Sequence, residues 1–309
     1  MEQNYTLERW TVASADGRST LACFSFVPKI ESPRALLQIS HGMKEYILRY
    51  QPLADYLTGL GFLVFGNDHA GHGESAAEGE LGITGGADAM VDDLRAAAER
   101  VKAQHPDKKH ILLGHSMGSF AARLYASRFP TELDALVIVG TGGPDNPTGM
   151  GKALARLVAK LHGESHRSPL ITEIAFGSYN KRFRGEPSPS AWLTRDREVV
   201  ATYDADRFCN YVFTAKGYYD LFDLIEKVST KNWAASLRKD LPTLIISGEQ
   251  DPVGNYGRGV SKVFARMRNA GMADLTLKLY PDMRHEIFNE IDRQIVFDNL
   301  AAWLESHKL

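Results

Sequence analysis

Two hydrophobic rhythms alternate along the chain. Short apolar runs of strand length ("RALLQISHG", "GFLVFGND", "HILLGHS", "LDALVIVG", "LPTLIISGEQ", "LTLKLYPD") alternate with longer stretches of helical spacing. "ADAMVDDLRAAAERVKAQH" places Met90, Leu94 and Val101 on one helical face. "MGSFAARLYASRF", a stretch over 257–270 and "RQIVFDNLAAWLESH" predict further helices, and another is expected near 50–60. Ahead of these, "RWTVASADGRSTLACFSFVP" reads as two strands around an Asp-Gly turn. Continuous apolar strands interleaved with helices predict an α/β fold: a mostly parallel central sheet flanked by helices.

One segment breaks the rhythm. Residues 142–232 open with "GGPDNPTG", contain "RGEPSPSAW", and are rich in Phe, Tyr and Trp without a strand signal. The expected organisation is a core built from 1–141 and 233–309, with a helical lid inserted over 142–232.

Composition narrows the classes. The chain has 309 residues, 44% of them hydrophobic, enough for a large core. A net charge of −2 gives no field that would favour nucleic acid. The two cysteines, Cys23 and Cys209, form no C-x-x-C pair, which fits reduced thiols better than a disulfide or metal framework. "MEQNYTLERW" lacks the basic start and apolar run of a secretory signal, and no stretch approaches the ~20 apolar residues that span a bilayer. A soluble, cytoplasmic protein is expected.

Candidate chemistry begins at "GHSMG", residues 114–118. A serine at the tip of a sharp strand-to-helix turn needs very small residues two before and two after it, so that strand and helix can approach. Five letters alone are weak evidence, because Gly and Ser both favour turns. A serine hydroxyl also needs a base, and the base needs an orienting carboxylate. In this kind of fold they follow in the order Ser, acid, His. Asp251 in "SGEQDPVG" and His285 in "PDMRHEIF" each fall just past a predicted strand; Glu249 and Asp282 are the rival acids. Backbone N–H groups of Met117 and of Met43 in "SHGMKEY" are the candidate oxyanion donors, with Gly42 allowing close approach. His69 and His72 in "HAGHGES" have no carboxylate or thiol cluster around them, so no metal is expected, and no cofactor.

Taken together, "HGMKEYILRY", "FGNDHAGHGES", "GHSMGS", "GEQDPVG" and "MRHEIF" resemble the α/β-hydrolase serine enzymes of the monoacylglycerol lipase and lysophospholipase group. The resemblance implies a triad of Ser116, Asp251 and His285, oxyanion donors Met43 and Met117, and hydrolysis of small acyl esters through an acyl-enzyme. It also implies substrate contacts near Gly42 and Tyr46, although this chain reads Glu45-Tyr46 where the group has Glu-His.

Several alternatives stay open. A peptidase of the proline iminopeptidase type would need an anionic site for a free amine, for which Glu164, Glu173 and Glu186 are available. A non-catalytic binding protein of this fold is the rival from another class. In "GKALARLVAKL", Leu154, Leu157, Val158 and Leu161 share a helical face. That face either packs over the core or, through Leu157 and Val158, lines an acyl pocket or touches lipid aggregates.

Overall fold

The computed structural model describes residues 4–145 and 148–309. Eight strands form one sheet: β1 (Tyr5–Ala13), β2 (Thr20–Pro28), β3 (Leu36–Ser40), β4 (Leu63–Asn67), β5 (His110–His115), β6 (Ala135–Val139), β7 (Thr243–Gly248) and β8 (Leu275–Tyr280). Their spatial order is β1-β2-β4-β3-β5-β6-β7-β8. The β1–β2 hairpin and the β2–β4 pairing are antiparallel; every pairing from β4 onward is parallel.

Side chains alternate along the central strands and so feed two cores. Leu113, Val137, Val139 and Ile246 point to the face covered by α1 (Gln51–Gly59) and α10 (Arg293–Ser306). Leu112, Leu136, Ile138 and Ile245 point to the opposite face, under α2 (Ala87–Gln104), α3 (Met117–Arg128) and α9 (Arg258–Asn269). Strands buried on both faces are what the near-continuous apolar runs required.

Between β6 and β7 the chain runs through α4 (Thr148–His162), α5 (Pro169–Phe176), α6 (Arg197–Ala205), α7 (Ala215–Val228) and α8 (Lys231–Ser236), with no strand among the described residues. Local chemistry starts these helices. Ser168 caps α5 ahead of Pro169, Asp196 accepts from two N–H groups of α6, and Thr214 and Thr230 cap α7 and α8. This insertion has its own apolar cluster, in which Ala155, Ile171, Phe213, Tyr218 and Phe222 are buried. The far half of α7, with Leu221, Leu224, Ile225 and Val228, packs into the core under α3 instead. Among the described residues no helix is long and apolar enough to cross a membrane.

Candidate active site

β5 ends at His115, α3 begins at Met117, and Ser116 makes the corner with φ 53° and ψ −118°. A non-glycine residue there is strained, and such strain persists only where the surroundings over-determine it. The flanking glycines show why. A Cβ on Gly114 would come within 2.7 Å of the Ala122 Cβ, and one on Gly118 within 2.5 Å of the His41 carbonyl oxygen. Ser116 N–H is tied to the Val139 carbonyl at 3.0 Å.

Asp251 and His285 follow β7 and β8 and are buried. The His285 imidazole donates from Nδ1 to Asp251 Oδ2 at 3.0 Å. Asp251 also accepts from Val253 N–H at 2.8 Å and faces Ser247 Oγ at 3.3 Å, so the carboxylate is held in place from three sides. Glu249 and Asp282 are exposed instead. With Nδ1–H committed to Asp251, Nε2 of His285 remains as the acceptor nitrogen. His285 packs between the rings of His115, at 4.7 Å, and Trp192, at 5.0 Å, and its backbone N–H reaches the Trp192 carbonyl at 3.4 Å.

Met43 and Met117 both border the cavity in front of Ser116. Met117 opens α3, where first-turn N–H groups have no intrahelical acceptor and the helix dipole favours negative charge. The peptide that carries Met43 N–H is fixed from its other end: His41 Nδ1 donates to the Gly42 carbonyl at 2.7 Å, while its Nε2 accepts from His69 N–H at 2.9 Å. That pair of bonds sets the His41 tautomer. Burial pulls the pKa of His41 down to about 4 and that of His72 to about 3, so both rings are neutral. Among the described residues no group of three or more His, Cys, Asp or Glu is arranged to hold a metal ion.

A buried charge network lies behind the site. Glu45 accepts from His115 Nδ1 at 2.8 Å, Tyr50 Oη at 2.9 Å, Arg49 at 3.2 Å and Gly42 N–H. Arg49 also grips Glu286 through two bonds of 2.7 and 2.8 Å. Burial would raise the Glu45 pKa, but His115 and Arg49 outweigh it and hold the carboxyl well below the usual range. Burial likewise opposes the His115 imidazolium, yet Glu45 holds its pKa above the ordinary value. The network ties the Gly42–Tyr46 loop to the His285 loop.

Ser116, His285, Met43 and Met117 open onto one cavity of roughly 610 Å³. Its apolar wall comes from Phe120 of α3, Phe176 of α5, and Tyr218, Leu221 and Ile225 of α7; Tyr179 and Trp192 close it near His285. Phe176, Tyr179, Trp192 and Tyr218 belong to the aromatic-rich lid that the sequence marks; sequence reasoning missed Phe120, Leu221 and Ile225, although Leu221 and Ile225 stand at i, i+4 spacing on an apolar face and could have been found. It also missed Lys44, which lines the cavity with its ammonium 5.7 Å from the Tyr211 ring centroid.

Four expected substrate contacts lie outside the cavity wall. Gly42 is covered, its N–H taken by Glu45. Tyr46 turns its hydroxyl to Asp206 at 2.7 Å and joins a small cluster with Leu193, Tyr203 and Cys209. Val158 packs into the insertion's own cluster, and Leu157 is 52% exposed. The carboxylates considered for amine binding are also placed elsewhere. Glu164 is exposed, Glu186 pairs with Arg284 and Arg197, and only Glu173 reaches the cavity, as an exposed residue.

The family model described as serine aminopeptidase, S33, matches residues 31–292. The chain is 30% identical over 281 residues to the monoacylglycerol lipase of Mycolicibacterium smegmatis, covering 89% of each protein. It is 28% identical over 301 residues to the monoglyceride lipase of Mus musculus, covering 96% of this chain and 90% of the relative. A carboxyl esterase from Bacillus coagulans, solved with glycerol, superposes with a TM-score of 0.91 at 28% identity over 98% of this chain and 99% of that one. A soluble variant of the Saccharomyces cerevisiae monoglyceride lipase shares the fold, with a TM-score of 0.80 at 21% identity over 99% of this chain and 96% of that one. The chain therefore belongs to the serine aminopeptidase S33 family of α/β-hydrolases, as a serine ester hydrolase of the monoacylglycerol lipase type.

Proposed function

We propose that the chain hydrolyses single-acyl esters of glycerol or glycerophosphate type, with Ser116 as nucleophile, His285 as base and acid, and Asp251 as orienting carboxylate. Ser116 Oγ attacks the ester carbonyl carbon and its proton passes to His285 Nε2. The negative oxygen is met by Met43 and Met117 N–H. Collapse expels the alcohol, protonated by His285, and leaves an acyl-Ser116 that water hydrolyses by the reverse proton path. The 142–232 insertion acts as the lid over this centre. Buried, unpaired Cys23 and Cys209 support a reducing, cytoplasmic setting.

The observation that carries this reading is the cavity. Ser116 and His285 meet an apolar wall of Phe120, Leu221 and Ile225, suited to an acyl chain. An amine substrate would need an unneutralised carboxylate beside Ser116; Glu45 and Glu286 are both engaged by Arg49, which leaves Glu173 at the cavity as the anionic group that aminoacyl amides test. Lys44 favours a second reading of the alcohol side. It carries no ion pair among the described residues, so an anionic headgroup such as that of a lysophospholipid is attracted there.

The experiment is fluorophosphonate labelling followed by turnover of p-nitrophenyl esters of increasing chain length, run beside aminoacyl amides. Ser116-dependent labelling with ester turnover is expected, and kcat/KM should rise with chain length. Faster turnover of the aminoacyl amides would overturn the ester reading. A paired assay of a neutral monoacylglycerol and a lysophospholipid decides the headgroup.

A further inference from the structure

Behind the Ser116 corner runs a buried hydrogen-bond chain that the mechanism above does not use. It starts at Arg123 of α3, which is 1% exposed. Among the described residues no carboxylate pairs with this guanidinium. It donates instead to the Val228 carbonyl at 2.6 Å, Thr141 Oγ1 at 3.1 Å and the Gly142 carbonyl at 3.5 Å, and lies 4.3 Å from the Trp233 ring centroid. Thr141 Oγ1 is 2.8 Å from Ser119 Oγ, and Ser119 Oγ is 2.5 Å from the carbonyl oxygen of Ser116.

The chemistry of the donors gives this chain a direction. A guanidinium can only donate, and each hydroxyl has one hydrogen. Thr141 Oγ1 accepts from Arg123 and shares one hydrogen bond with Ser119 Oγ; the single Ser119 hydrogen cannot serve both Thr141 and the Ser116 carbonyl, and the chain runs to the carbonyl in the arrangement where Thr141 donates to Ser119. Ser119 turns its hydrogen to the Ser116 carbonyl. All three bonds then point from the cation toward one peptide oxygen, an arrangement in which each bond strengthens the next. That oxygen belongs to the peptide group whose nitrogen is Met117 N–H. Donation to a peptide oxygen draws electron density from its nitrogen and makes the N–H a better donor. Burial lowers the Arg123 pKa to about 9, which leaves it cationic at neutral pH.

We propose that Arg123, acting through Thr141 and Ser119, is a positioning residue that aims and polarises the Met117 N–H toward the anionic oxygen of the transition state. This rests on the reading of Met117 as an oxyanion donor. The Met43 peptide is backed in a parallel way by neutral His41, whereas the Met117 peptide is backed by a full charge relayed through two hydroxyls. None of the three side chains lines the cavity. Their effect belongs to the step in which charge develops, and so to kcat.

The test uses the full chain with Thr141→Val, Ser119→Ala and Ser119→Thr. Each is measured for kcat and KM on a short p-nitrophenyl ester, for melting temperature, and for inhibition by an alkyl trifluoromethyl ketone, which forms an oxyanion hemiketal with the nucleophile. Removing a whole oxyanion donor costs ~100-fold or more, so weakening one should lower kcat about tenfold. KM should stay within about twofold, and ketone affinity should fall by a factor similar to kcat. Ser119→Thr keeps the hydroxyl and should restore most of the loss. The Thr141→Val/Ser119→Ala double variant should resemble Ser119→Ala alone, since a chain breaks once. Folded variants with kcat and ketone affinity unchanged would overturn the proposal while leaving the ester mechanism intact. If the wild type gains nothing from the ketone over a matched alcohol, or Ser116→Ala still turns over, the oxyanion reading itself falls and takes the proposal with it.

Discussion

Replacing Arg49 with Met should be among the most damaging single changes away from the triad. The Arg49 side chain is 11% exposed and stands between two carboxylates whose side chains are each 4% exposed. Methionine fills much of the volume but leaves Glu45 and Glu286 without their shared cation. Removing one partner of a buried pair costs about 3–5 kcal/mol, chiefly the desolvation of the charge left behind. Glu45 keeps His115, so Glu286 bears most of this. With Arg49 gone, burial and the neighbouring Glu45 charge would push the Glu286 pKa up against the Asn289 amide bond and His115. A raised acid pKa destabilises the fold progressively as pH climbs from the unfolded value toward the folded one. With the Glu286 pKa raised, the penalty at pH 8 should exceed that at pH 5. Urea unfolding of wild type and variant at both pH values measures this directly. A loss below about 1 kcal/mol, equal at pH 5 and pH 8, would refute the claim that these carboxylates are desolvated and dependent on Arg49.

Three further outcomes are expected. Asp251→Asn should lower kcat about 10⁴-fold by spoiling the His285 tautomer while leaving the melting curve close to wild type; near-normal turnover would move the orienting role elsewhere. Leu221→Ser with Ile225→Ser should reduce the ratio of long-chain to short-chain kcat/KM about tenfold, at about 0.8 kcal/mol per methylene lost from apolar contact, and Leu157→Ser should leave it unchanged. For the His115–Glu45 pair the signs oppose. The raised His115 pKa gives stability that is complete below ~6.5 and is lost as pH rises through the folded value, and the lowered Glu45 pKa gives stability that is complete above ~4.5 and is lost on further acidification. The destabilisation caused by His115→Asn, followed by urea unfolding, should therefore peak near pH 5–6 and shrink as pH rises through the folded His115 value.

The strands and the order of the catalytic motifs were legible because each rests on a local rule. Gly114 is forced by contacts within one strand-turn-helix unit, Gly118 by the backbone at the end of β3 beside it, and strand β5 announces itself by His110–Leu113. Asp251 and Glu249 both follow β7, so the strand alone does not separate them; the resemblance favours Asp251, and the 3.0 Å bond to His285 supplies the direct observation. The cavity wall was less legible. Helical periodicity marks an apolar face on both α4 and α7, but it does not say what each face meets. The α4 face carrying Leu157 and Val158 meets its own insertion and solvent, while Leu221 and Ile225 of α7 meet Ser116's cavity. Tyr46 is drawn aside by Asp206, 160 residues away in sequence. Arg123 was hidden for a related reason. An arginine inside a helix reads as a solvated position, and only the closure of Thr141 and Val228 around it makes it an internal cation.

The order of parts along the chain bears on how the enzyme is made. Ser116 precedes the β6–β7 insertion, and both Asp251 and His285 follow it. Closing the intervening loop is thermodynamically inexpensive, since loop entropy grows only with the logarithm of length; lengthening it tenfold adds about 2 kcal/mol. It takes time, however. At 5–20 residues per second, a ribosome needs roughly 10–30 s to pass from Ser116 to His285, the proposed nucleophile and base. Throughout that interval the nascent chain holds a serine without a partner imidazole. With the proposed triad, hydrolytic activity waits for docking of the C-terminal strands, so the newborn enzyme stays chemically silent until β7 and β8 have joined the sheet.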